Sequence, residues 1–273
     1  MYMYLFVIIV IVLVPNKGEN KISKGRSIVN GYGRIVEAKQ GEFPYHAALF
    51  TPINTSNVIL CGGSLIQPRW ILTAAHCLEQ DGKRLSANKI KVALGSIYYN
   101  LRGARKYLIE KLVIHPAYFK SDGDPDIGLI KLKKNVSFDS NIKPILLHDD
   151  DNEILMGKEV YLSGFGIVND FYKSPTKLRV ALLHINSPEK CLLKQTDRSS
   201  LCCTSTIAEG KACKGDSGGP LIIIRNGHIY QVGITSHLAI LPFCKISFNH
   251  SVYTKVSAYI KWIRNETKHN ANS

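Results

Sequence analysis

The chain has 273 residues, 45% hydrophobic and 21% charged, and 35 Lys and Arg against 21 Asp and Glu give it a net charge of +14. That length and apolar content allow a packed core and exclude a disordered or coiled-coil chain, and no repeat at a solenoid period is present. The basic residues are scattered, the densest cluster being Lys131, Lys133 and Lys134, and no nucleic-acid motif accompanies them; they read as a solvated surface, with no nucleic-acid partner expected.

Leu5 to Val14 form an unbroken apolar run, LFVIIVIVLV. A bilayer needs roughly 20 such residues, so the run is too short for a span and fits the apolar centre of a signal peptide, although no Lys or Arg precedes it. The expectation is a signal peptide over 1–18 and a short polar propeptide over 19–27. Seven cysteines suit an oxidising compartment, and N-x-[ST] sequons at Asn54, Asn135, Asn249 and Asn265 suit a glycoprotein. Together these features point to a secreted, extracellular protein.

From Ile28 onward short β-type runs dominate: Tyr45–Phe50, Trp70–Thr73, Ile90–Leu94, Tyr107–Ile114, Ile127–Leu132, Val160–Ser163 and Leu221–Ile224. Turn residues punctuate them, as in an all-β barrel or sandwich. A polar break at His148–Glu153 (HDDDNE) divides two halves of similar size, roughly 28–147 and 154–255. Val256, Tyr259, Ile260 and Ile263 fall at i, i+3, i+4 and i+7 and predict a C-terminal helix over 256–268.

Three segments carry chemistry. In Gly215-Asp216-Ser217-Gly218-Gly219-Pro220 a serine sits among glycines that permit a tight turn. A serine hydroxyl needs a base to remove its proton and donors for the oxyanion that develops, and the N–H groups of Gly215 and Ser217 are candidate donors. In Thr73-Ala74-Ala75-His76-Cys77 a histidine directly precedes a cysteine, and Cys61 lies 16 residues before Cys77. In Asp126-Ile127-Gly128-Leu129-Ile130 an acid heads an apolar strand, where burial requires hydrogen-bonding partners. Asp122 and Asp124 are nearby rivals, but only Asp126 abuts the strand.

The motifs AAHC, DIGLIKL and GDSGGPL, in the order His, Asp, Ser, resemble those of the chymotrypsin/trypsin family of serine proteases. The likeness runs from about Ile28 to Trp262, including Phe43-Pro44-Tyr45, Gly164-Phe165-Gly166 and Val252-Tyr253-Thr254-Lys255-Val256, with a texture like that of insect digestive or venom members. The resemblance implies two six-stranded antiparallel β-barrels with a cleft between them, in a domain spanning 28–273. It implies that Ser217 attacks a peptide carbonyl, that His76 relays the proton, that Asp126 orients His76 and that Ser236 supports Asp126. It implies a zymogen cut to free an N-terminal Ile whose ammonium pairs with Asp216. Of the two Ile-Val starts, Ile28 is preferred, because a start at Ile35 leaves the chain three residues, roughly 10 Å, short. Ser27 precedes Ile28 where the family has Arg or Lys, so cleavage after Arg26 with trimming of Ser27 is the expected route.

The pocket departs from the family. Lys211 takes the floor position where trypsin-like members carry Asp, which disfavours cleavage after Arg or Lys; a nearby insertion could displace it. Leu238 stands where many members have Gly, and His237 replaces the usual aromatic. With Ser251 these residues imply a restricted pocket for small apolar or acidic side chains. The resemblance also implies bridges Cys61–Cys77, Cys213–Cys244 and Cys191 with Cys202 or Cys203, Cys203 being preferred. No metal or other cofactor is expected, since the loop from Leu94 to Ala104 lacks the acids of the family's optional calcium site. The expected partners are a polypeptide substrate, an activating protease and protein inhibitors of a monomeric enzyme. The alternative is a catalytically silent protease-fold binding protein, and a third reading is an anchor to sulfated glycans.

Overall fold

Strands form where apolar residues alternate or run continuously between turns, and the ladders then decide which face is buried. The structure, a computed structural model, describes residues 35–53, 56–120, 125–167, 174–193, 198–204, 212–238 and 250–268. The expected signal peptide and propeptide, Ile28, Asn54, Asn249, Lys211 and Cys244 lie outside the described residues.

In chain order the strands are β1 (Val36–Glu37), β2 (His46–Ile53), β3 (Ser56–Gln67), β4 (Trp70–Thr73), a small β5–β6 hairpin (Glu79–Gln80 and Lys83–Arg84), β7 (Lys91–Leu94), β8 (Arg105–Tyr107), β9 (Ile109–Ile114) and β10 (Gly128–Leu132). They continue with β11 (Leu146–Leu147), β12 (Glu159–Gly164), β13 (Arg179–Asn186), β14 (Ser200–Thr204), β15 (Pro220–Arg225), β16 (His228–Leu238) and β17 (Ser251–Lys255). A 3₁₀ turn at Ser257–Tyr259 leads into helix α1 (Ile260–Lys268), which buries Ile260, Ile263 and Thr267.

The first sheet runs β8-β7-β2-β3-β4-β10-β9, and the second orders β13-β12-β15-β16-β17-β14 with β14 returning to pair with β13. The second is therefore a closed six-stranded barrel. The first differs from the expected six-stranded barrel: it has seven strands, and its ends β8 and β9 are not paired among the described residues. Only Leu108 separates those two strands, too few residues for the turn that antiparallel pairing requires. The chain bends there into a corner, leaving a half-barrel.

Two short segments tie the halves together. β1 pairs with β13 through Val36 and Val180, and β11 runs parallel to β16 through Leu146 and Tyr230. Both belong to the second sheet although they lie within the stretch assigned to the first half. The acidic linker between the halves is equally pinned. Asp149 meets Arg264, Asp151 meets Lys255 and Ser257, and Glu153 meets both Arg225 and His148. The Arg225 guanidinium, with His148, holds the Glu153 carboxyl down at about 2.

Candidate active site

The ladder between β4 and β10 assembles the first half of the site. Gly128 lies opposite Thr73, so the residues just before β10 face those just after β4. Ala74 and Ala75 are wholly buried and lead into the 3₁₀ turn His76–Leu78. A Cys61–Cys77 disulfide ties that turn back to β3, as expected. The Asp126 Oδ1 accepts the His76 backbone N–H at 3.0 Å, while Oδ2 accepts His76 Nδ1–H at 2.8 Å and the Ser236 hydroxyl at 2.6 Å. From behind, the Thr254 hydroxyl donates to the Asp126 carbonyl at 2.9 Å.

Burial alone would raise the Asp126 pKa, but the His76 hydrogen bond and charge and the Ser236 hydroxyl outweigh it and hold the carboxyl below its usual value. An ionised Asp126 only accepts, so His76 carries its proton on Nδ1 and presents a bare Nε2 that can act as a base. Asp122 and Asp124 lie outside the described residues.

Ser217 comes from the other barrel, and its approach depends on missing side chains. The Gly62 N–H of β3 donates to the Ser217 carbonyl at 2.7 Å, stitching the serine loop to the first sheet. A Cβ on Gly62 would meet Gly219 Cα at 2.8 Å; one on Gly218, whose φ is +76°, would run into Thr73 Oγ1 and the Gly62 carbonyl. The glycines of GDSGG and of Cys61-Gly62-Gly63 thus let two backbones touch at the barrel junction. The glycine doublet in β3 is the sequence signal for this contact.

Ser217 and His76 are not hydrogen-bonded to one another, and His76 Nε2 lies 3.7 Å from Cys77 Sγ. Neither the Gly215 nor the Ser217 N–H donates to a backbone oxygen among the described residues, so both remain available to an oxyanion.

Asp216 points inward. Its carboxylate accepts the N–H of Gly166 at 2.7 Å and of Cys213 at 2.8 Å, and it fills the space that side chains on Gly164 and Gly166 would need. Burial pushes its pKa up to about 6, against those two N–H donors and the more distant Arg179. Among the described residues it has no ion-pair partner. Nearby, His46 is buried with Nδ1 3.1 Å from Ser163 Oγ, and burial lowers its pKa to about 3.

Of the residues expected in the specificity pocket, Ser251 is fully buried and accepts the Ala212 N–H at 3.2 Å, whereas His237 is exposed beside Ser236. Leu238 ends β16, opposite Ser251.

One bridge corrects the sequence reading. Cys191 is joined to Cys202, not to Cys203, which is a buried free thiol. The two cysteines are consecutive in β14 and so face opposite sides. Cys202 meets Cys191 and Val252 on the outer side, while Cys203 packs with Leu201, Val160 and Tyr253 in the barrel core. Burial raises the Cys203 thiol well above the usual range, so it is an inert core residue. Cys213 is disulfide-bonded. The Cys61 and Cys77 sulfurs beside His76 are already joined to each other and offer no thiolate to a metal.

A closed β-barrel against a half-barrel, with a His–Asp pair from one and a glycine-flanked serine from the other, defines the chymotrypsin-like class. A model of the trypsin family matches residues 33–263, and the chain belongs to that family. It is 32% identical to vitamin K-dependent protein C of Rattus norvegicus over 260 residues, covering 90% of this chain and 52% of that protein. It is 29% identical to serine protease SSP1 of Scolopendra subspinipes over 262 residues, covering 94% and 88%. With urokinase-type plasminogen activator of Gallus gallus it shares 30% identity, over 90% of this chain and 58% of that protein. The chain thus spans about half the length of the protein C relatives. No helix among the described residues is long and apolar enough to cross a membrane.

Proposed function

We propose that the chain is a serine endopeptidase, made as a secreted zymogen, in which Ser217 is the nucleophile, His76 the base and Asp126 its anchor. The observation that carries this reading is Asp126 holding His76 in the Nδ1–H form while three neighbouring donors keep the carboxylate ionised. With that tautomer fixed, Nε2 takes the Ser217 proton as Oγ attacks a peptide carbonyl, and returns it to the leaving amine. The Gly215 and Ser217 N–H groups receive the oxyanion, and water then hydrolyses the acyl-enzyme.

Activation supplies what the site lacks. Cleavage after Arg26, with trimming of Ser27, exposes Ile28, and its ammonium pairs with Asp216. A buried carboxylate with no ion-pair partner among the described residues, and a serine not hydrogen-bonded to its base, both fit a chain that awaits this step. The printed name of one relative, serine protease SSP1, supports the same chemistry. The substrate is a polypeptide, and Lys211, His237 and Leu238 direct cleavage to small apolar or acidic residues rather than to Arg or Lys. Activating protease and protein inhibitors are the expected partners of the monomer.

Cleavage-site profiling of the processed protein on a proteome-derived peptide library tests this. Cuts after small apolar or acidic residues, abolished by Ser217→Ala, are expected. A digest dominated by cuts after Arg or Lys would overturn the pocket reading. No hydrolysis at all would return the chain to the class of silent protease-fold binding proteins.

A further inference from the structure

Near its end β16 carries one residue more than its partner. Thr235 lies opposite Tyr253 and His237 opposite Val252, which leaves Ser236 as the bulged, unpaired residue. In a regular strand successive side chains point to opposite faces and do not meet. The bulge removes that restriction: Ser236 Oγ lies 2.6 Å from Asp126 Oδ2 and 3.0 Å from Nδ1 of the adjacent His237.

Counting protons gives this chain of contacts a direction. A hydroxyl has one proton to donate, and an ionised carboxylate has none. Ser236 spends its proton on Asp126, so its oxygen can only accept from the imidazole. His237 must therefore carry a proton on Nδ1. In the other neutral form, with Nδ1 bare, the imidazole would draw the Ser236 proton to itself and leave the buried Asp126 Oδ2 with one donor fewer.

We propose that His237 is a positioning residue for the His76–Asp126 pair: its Nδ1–H occupies Ser236 Oγ and thereby commits the Ser236 proton to Asp126. Two imidazoles then sit on one carboxylate, His76 directly and His237 through a serine, and hydrogen bonds in such a series polarise one another. The proposal rests on the triad reading above. His237 also departs from the aromatic that the resemblance leads one to expect at this position, so its imidazole is a property of this chain.

Two measurements test it. The first is independent of activity: ¹⁵N NMR of the imidazoles in the intact protein near neutral pH. The expected result is a protonated Nδ1 on His237, and a shift of the His76 Nδ1 proton resonance in His237→Phe although the two rings are not in contact. A His237 protonated on Nε2 alone would overturn the proposal, as would an unmoved His76 resonance. The second is a double-mutant cycle on the processed enzyme. His237→Phe is expected to lower kcat roughly 3- to 10-fold, the usual reach of one hydrogen bond. In the Ser236→Ala background the same substitution is expected to change kcat no further, because the link is already broken. Equal losses in both backgrounds would mean that His237 acts on substrate alone. Should the processed wild-type protein hydrolyse no peptide, the triad reading fails, while the NMR result still decides what His237 does.

Discussion

Asp126 and Asp216 are both buried carboxylates, yet their surroundings push them in opposite directions. The Asp126 carboxylate accepts three hydrogen bonds, two of them from His76, and its pKa is held below the usual value because those contacts outweigh burial. Asp216 has two backbone N–H groups and, among the described residues, no ion-pair partner, and burial carries it up to about 6. An acid on a β-ladder next to a histidine is finished by the fold itself. The acid beside the serine has no such partner among the described residues. On the proposed reading the base half of the site is in place before processing, and the nucleophile half awaits the ammonium of Ile28.

The largest expected effect comes from breaking the finished half. Asp126→Asn replaces one carboxylate oxygen by an NH2 donor that favours the wrong His76 tautomer, and kcat of the processed enzyme should fall roughly 10⁴-fold with the fold intact. A loss under tenfold would mean that Asp126 does not orient the base.

The unfinished half is read by pH. The folded-state pKa of Asp216 lies above its unfolded value of 3.8, so the folded chain binds that proton more tightly. Stability relative to Asp216→Asn should therefore be level below about pH 4, fall by about 3 kcal/mol as pH rises to 6, and be level again above it. His46, with its lowered pKa, works in the opposite direction, which is why the difference between the two proteins is the informative quantity. Urea melts of the unprocessed chain across this range check it, and after processing the fall should vanish.

The bridge offers a contrast of similar size. Breaking Cys191–Cys202 by Cys202→Ser opens an 11-residue separation, and the loop-closure argument gives a loss of about 3 kcal/mol. Cys203→Ala removes only a small core sulfur and should cost about 1 kcal/mol. Thermal melts of the pair, with mass spectrometry of the Cys191–Cys202 peptide, distinguish the correct bridge from its neighbour.

A further substitution tests the junction between the halves. Gly218→Ala places a methyl against Thr73 and Gly62, and should cost about 1–3 kcal/mol while moving Ser217 away from the first sheet. A melt unchanged from wild type would show that the junction has slack.

The runs Trp70–Thr73, Ile127–Leu132 and Leu221–Ile224 were legible because their apolar residues are consecutive and turns bound them. β3 was not, because Cys61-Gly62-Gly63 interrupts its apolar pattern where the other barrel presses close. β16 escaped notice because its Ser236 bulge breaks the alternation that marks a strand. The two-residue strands β1 and β11 are too short to carry any period, and only tertiary pairing defines them. His76, Asp126, Ser217 and Ser236 stood out through residue type and order. The choice between Cys202 and Cys203 turned on which face of β14 meets Cys191, and alternation alone does not say which face is outward.

The most direct test of the central claim is labelling by a fluorophosphonate, with the modified residue mapped by mass spectrometry. The account predicts negligible labelling of the unprocessed chain and stoichiometric labelling of Ser217 once Ile28 is the N-terminus, lost again in His76→Ala. Full labelling before processing, or none after it, would contradict the division between a finished base and an unfinished nucleophile.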